Sequence, residues 1–136
     1  MKRLLEVLTA GAAPPRHNPV PDAAQGSYCC FVREVRYWHG TRAGETESLG
    51  GGDWELQVLT RDSLLWEYQD ANSVHNGLPL DLDYRPGGLA QLLATRVDGS
   101  LTLRIALDPA AETTRFSGLG SHAAITGICY FKPQGT

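Results

Sequence analysis

Four histidines, three cysteines and several spaced carboxylates are the side chains of this 136-residue chain best equipped for chemistry, and their spacing limits what they can do. His17, His39, His75 and His122 are scattered, with no His-x-His or His-x-x-x-His pair. A metal site would therefore need the fold to bring them together, and none is expected. Asp81 and Asp83 share a face if they lie on a strand, which describes a solvated surface better than a cation site. Gly50-Gly51-Gly52 lacks the Lys-Ser/Thr of a phosphate loop and precedes a strand rather than a helix, so it reads as a turn. No Gly-x-Ser-x-Gly elbow is present and no cysteine carries a triad pattern. Cys29 and Cys30 are adjacent and so point to opposite faces of a strand, while Cys129 stands alone. The expected state is three reduced, buried, small side chains in a reducing compartment, with a Cys30–Cys129 bridge as the alternative.

The aromatic residues carry more information. Trp54 and the Trp66/Tyr68 pair lie on the apolar faces of two successive segments that read as a hairpin, and Tyr28, Tyr37, Trp38, Phe116 and Phe131 are available to join them. Such rings form either an ordinary core or the rigid wall of a pocket for an apolar ligand. Trp66 and Tyr68 would stand about 6.8 Å apart along one strand face, a spacing suited to gripping a flat conjugated chain. Glu34 and Arg36 share a face with Cys30 and Val32. Facing inward they would be charges in need of a partner or a task, and facing outward they are surface.

These side chains must be positioned by short period-2 segments punctuated by Gly, Pro, Asn and Asp. Residues 2–9 read equally as a strand or a helical stripe. Residues 11–26 hold Pro14, Pro15, Pro19 and Pro21 and cannot form regular structure, so they suit a flap over a cavity. Strands are expected over 27–39, 53–60, 63–70, 78–84, 89–97, 101–107, 113–118 and 122–131, with Asp98-Gly99 as the strongest hairpin turn. No ten-residue helical crossover separates them, which excludes a parallel α/β fold. The fold class is all-β: one antiparallel barrel of about eight strands, calycin-like, with an N-terminal strand and Pro-rich flap over residues 1–26 and the barrel over 27–136. Leu56, Val58, Leu103, Ile105 and Ile125 alternate cleanly with polar neighbours and are expected inside.

Composition narrows the partners. Apolar residues make up 42% and charged residues 20%, with 12 basic against 15 acidic side chains and a net charge of −3. That balance does not suit tracking phosphates, so nucleic acid is not expected. No apolar run approaches the ~20 residues of a membrane helix, and Glu6 interrupts the opening apolar stretch, so neither a membrane span nor a secretory signal is expected and the cytoplasm is the default location.

Arg115-Phe116-Ser117-Gly118-Leu119-Gly120 followed by Ile125-Thr126-Gly127 resembles the closing strands of allene-oxide-cyclase-like and dirigent-like β-barrels. Tyr37-Trp38-His39-Gly40-Thr41-Arg42-Ala43-Gly44-Glu45 resembles a turn of that family. Gly52-Asp53-Trp54-Glu55-Leu56 with Leu64-Leu65-Trp66-Glu67-Tyr68-Gln69 is similar to its next hairpin. The likeness spans roughly 26–131. Small bacterial members of the group are polyketide cyclases of the spirotetronate Diels–Alderase type, which implies a cofactor-free cyclase that folds a hydrophobic polyene or polyketide for ring closure. On that reading Glu34, Tyr37 and Tyr68 are the candidate catalytic contacts, and Trp54, Trp66, Phe116 and Phe131 the substrate wall. No metal or other cofactor is expected, the partner is a small hydrophobic substrate, and a homodimer is left open. The alternative is a barrel without catalysis that binds a small apolar ligand or a protein.

Overall fold

Alternating apolar and polar residues bury one face of a strand, and a run of such strands can bury all those faces at once only by curling into a sandwich or a barrel. A computed structural model describes residues 18–69, 73–74, 77–108 and 110–134. It contains β1 (Gly26–Tyr37), β2 (Thr46–Ser48), β3 (Trp54–Leu59), β4 (Leu64–Gln69), β5 (Ser73–Val74), β6 (Leu78–Arg85), β7 (Ala90–Arg96), β8 (Leu101–Leu107), β9 (Thr113–Gly120) and β10 (Ala123–Pro133). Strands β1, β3, β4, β6, β7, β8, β9 and β10 pair antiparallel in that order, and β10 returns to β1, closing an eight-stranded barrel. Short β2 pairs with the second half of β1, and β5 with the end of β4. A 3-10 turn at Asp22–Ala24 is the helical element among the described residues. The expected antiparallel barrel is thus the fold observed, while the segment over 2–9 and the flap residues up to 17 lie outside the described residues.

The interior is filled. Leu56, Val58, Leu103, Ile105 and Ile125 are each at most 2% exposed, as their alternation requires, and Cys30, Val32, Leu65 and Leu92 are fully buried beside them. Each such Leu, Ile or Val contributes about 1.5–3 kcal/mol of transfer free energy.

Strand β1 departs from simple alternation. Val32 pairs with Gly127 and Glu34 with Thr126, so Arg33 is an extra residue, a β-bulge. The bulge joins Tyr28, Cys30 and Val32 to Val35 and Tyr37 on the inner face, whereas uninterrupted alternation would place these two sets on opposite faces. It also explains why both faces of 27–39 mix apolar and charged residues when read with a strict period of two. Glu34 and Arg36 fall outside and are exposed.

The closing seam runs from Gly26 opposite Pro133 to Tyr37 opposite Ala123. Its tightest point is Gly127, where an added Cβ would overlap the Phe31 carbonyl oxygen and stand 2.7 Å from Phe116 Cε1. Gly118, across β9, faces Ile125 Cγ1 and Leu103 Cδ2 at 2.8 Å from such an atom. The two glycines admit the bulky side chains that fill the lumen. In the same seam Cys30 lies opposite Cys129, both pointing inward, and they are joined by a disulfide across 99 residues of sequence. This corrects the expectation of three reduced cysteines. The β1–β10 register brings the pair together, and the alternation that buries Cys30 turns Cys29 outward, where it remains free.

Two outcomes follow. Gly127→Ala should lower the unfolding free energy by about 3 kcal/mol or more, because backbone rather than a flexible side-chain end must give way. The double variant Cys30→Ala/Cys129→Ala should lose about 2–5 kcal/mol. Thiol titration of the denatured, unreduced protein should find one free thiol, and three would show that the bond is absent.

Candidate functional site

The packed middle of the barrel divides the lumen, leaving a cavity at each mouth. At the first mouth, the start of β1 and the end of β10 bring Tyr28 and Phe131 into a stack with ring centroids 4.7 Å apart and planes 30° from parallel. Tyr84 from the end of β6, Ala90, Leu107 and Thr114 continue the wall of a cavity of about 630 Å³, which Asp108 and Glu112 also line. Pro21, Ala23 and Ala24 form part of its lining, so the chain before β1 roofs it. That roof is fastened at both ends. Tyr28 donates its hydroxyl to the Ala24 carbonyl at 2.6 Å, and Asn18 exchanges backbone and side-chain hydrogen bonds with Asp83 and Tyr84. Burial, followed by the neighbouring Tyr84 hydroxyl, pushes the Tyr28 phenol well above its ordinary value, so it is a proton donor throughout the physiological range. Among the described residues the Tyr84 hydroxyl has no hydrogen-bond partner, which leaves it free to donate into the cavity.

The opposite mouth is polar. Trp54, Glu67, Gln69, Arg96, Tyr37 and Glu47 surround a cavity of about 490 Å³. Trp54 Nε1 donates to Glu67 Oε2 at 2.8 Å, and Gln69 Nε2 donates to the same oxygen at 3.1 Å. Tyr37 donates its hydroxyl to Glu47 Oε1 at 3.0 Å. The Arg42 guanidinium lies over the Tyr37 ring, 4.2 Å from its centroid, and also donates to Glu45 and Glu47. Burial and the Glu47 hydrogen bond raise the Tyr37 phenol above its ordinary value, with Arg42 opposing them. Tyr37, Glu47 and Glu67 are each engaged by a neighbour, so this mouth resembles a cross-linked rim more than a reactive centre.

The residues expected to form one site are therefore dispersed. Trp54 and Tyr37 reach the polar mouth, Phe131 the roofed mouth, and Phe116 the core, where it is 3% exposed. Glu34, Trp66 and Tyr68 lie outside the barrel. The β3–β4 register explains the last two: Leu56 opposes Glu67 and Val58 opposes Leu65, so Leu65 and Glu67 enter the lumen while Trp66 opposes Gln57 and Tyr68 opposes Glu55 on the outer face. Trp54 and the Trp66/Tyr68 pair thus stand on opposite sides of the sheet and cannot grip one ligand. Tyr28, Tyr84 and Glu67 are the site residues that the candidate set omitted. For Tyr84 the signal was present, since it continues the Leu80-Leu82 face into the lumen.

With this geometry in hand, comparison with protein-family models, curated proteins and solved structures finds no match to the chain.

The Tyr28 phenol ties the roof to pH. The folded protein holds its proton more tightly than the unfolded chain, so its contribution to stability is complete below the ordinary phenol value of 10.0 and declines as pH rises beyond it. Tyr28→Phe should cost about 1 kcal/mol at neutral pH through the lost hydrogen bond to Ala24. The gap between wild type and variant in urea unfolding should then narrow above about pH 10. A gap that stays constant would show that Tyr28 titrates normally.

Proposed function

We propose that the barrel is a cofactor-independent cyclase. It folds a hydrophobic linear polyene or polyketide in the roofed mouth for intramolecular ring closure of the [4+2] type, a step of natural-product assembly. The observation that carries this reading is the cavity itself: about 630 Å³, floored by stacked aromatic rings, covered by residues 21–24 and supplied with one unengaged phenol. The volume falls within the range of small-molecule sites. In a [4+2] closure two σ bonds form from the π electrons of the diene and dienophile, and no proton leaves the substrate. The protein needs to supply only a bent, near-attack conformation and a hydrogen bond to a carbonyl that activates the dienophile. Holding the two reacting ends together is worth several kcal/mol, and Tyr84 is the residue placed to donate to the carbonyl. Tyr28 is committed to the roof. The resemblance of residues 26–131 to small bacterial cyclases selects ring closure among the reactions such a chamber would allow.

The sequence suggested a cytoplasmic location. Disulfides such as Cys30–Cys129 persist more readily in oxidising compartments. Among the described residues no helix is long and apolar enough to cross a membrane.

A linear substrate bearing a conjugated diene and an activated alkene tests the proposal. Wild-type protein should convert it faster than buffer does. Ala90→Trp, which fills the cavity from its wall, should abolish both binding and conversion while the far-ultraviolet circular dichroism is retained. Tyr84→Phe should keep binding and slow closure roughly tenfold or more. Saturable binding without acceleration would instead establish a non-catalytic carrier of apolar ligands, and absence of binding would remove the roofed mouth as a site.

A further inference from the structure

We infer that His39 and His122 form a chelating site for a divalent transition-metal ion at the rim of the polar mouth. No sequence motif joins these residues, which stand 83 positions apart, but the fold places their Nδ1 atoms 3.2 Å from each other. Their ring centroids are 4.9 Å apart and the planes are inclined by 44°. Two imidazole nitrogens on one tetrahedral ion, each about 2.05 Å from it, are separated by about 3.3 Å. The pair therefore already stands at ligand spacing. A shared N–H···N hydrogen bond fits the same distance, yet between two exposed rings it competes with water and contributes little. A metal ion engages both lone pairs at once.

The loops that carry the pair are held together by other bonds. The Trp38 backbone N–H donates to the His122 carbonyl at 3.0 Å, and the Trp38 indole donates to the Ser121 carbonyl at 3.3 Å. The chain from β1 to β2 is thereby pinned to the β9–β10 turn before any ion arrives, which reduces the ordering that binding requires. Imidazole suits zinc, nickel and copper rather than magnesium or calcium. No cluster of three or more His, Cys, Asp or Glu ligands occurs among the described residues, so water completes the coordination. The ion would then be exchangeable and bound with micromolar rather than nanomolar strength. His122 also lines the polar cavity, which places the open coordination positions at its edge. The site is independent of what the roofed mouth binds.

Titration of untagged, metal-free protein with Zn²⁺ at neutral pH, followed by calorimetry and by thermal unfolding, tests the inference. One ion should bind per chain, and the melting temperature should rise with Zn²⁺ concentration. His39→Ala and His122→Ala should each weaken binding roughly tenfold or more. His17→Ala/His75→Ala should leave it unchanged, and Co²⁺ in place of Zn²⁺ should give the visible absorption of a tetrahedral complex. Absence of saturable binding, or binding that survives loss of both His39 and His122, would overturn the proposal.

Discussion

Closure of β1 against β10 is the constraint on which the rest of the molecule depends. Without it the sheet would present two long unpaired edges and an apolar face too wide for any loop to cover. The seam works because three local features coincide. Gly127 lets the two backbones approach at the point where Phe116 fills the lumen, and the bulge at Arg33 re-phases β1 so that apolar residues face inward along its whole length. The Cys30–Cys129 bond joins the first and last strands of the ring covalently. Each feature alone is an irregularity, and together they allow a twelve-residue strand to bend around a barrel of this size.

The filled centre sets the character of the two mouths. A lumen blocked by Leu, Ile and Phe side chains cannot be a channel, so each end is a separate shallow chamber with its own chemistry. At one end Tyr, Phe, Ala and Leu side chains line a bowl together with the carboxylates of Asp108 and Glu112. At the other, strands begin or finish in Trp54, Glu67, Gln69 and Arg96, where Trp54 and Gln69 donate to Glu67 and Arg96 pairs with Asp98. The proposed apolar guest and the proposed rim-bound ion would thus be separated by the thickness of the core.

The barrel and its buried residues could be read from alternation alone, since Leu56 and Leu103 have polar neighbours on both sides and Val58 and Ile105 continue their faces at a spacing of two. The site could not, for two physical reasons. An inserted residue such as Arg33 leaves no compositional mark, so a strict period of two assigns Val35 and Tyr37 to the wrong side. In β4 the larger apolar set, Leu64, Trp66 and Tyr68, faces outward, and the lumen receives Leu65 with a carboxylate. Hydrophobic weight misleads there because Glu67 is satisfied by Trp54 Nε1, a partner from the neighbouring strand that local reading does not see. The meeting of Cys30 with Cys129, and of His39 with His122, likewise depends on the seam register, a property of residues 99 and 83 positions apart.

The fastened roof has a consequence for time rather than for affinity. Residues 18–24 are tied to β6 through Asn18 and to β1 through Tyr28, and a guest leaving past this segment would have to part at least one of those ties. Residence would therefore be governed by how often the segment lifts, with only weak dependence on the size of the guest. Two molecules of similar hydrophobicity would exchange at similar rates whatever their equilibrium preference. A reactive chain held for many lifting intervals would have repeated chances to reach a rare bent shape before it escaped.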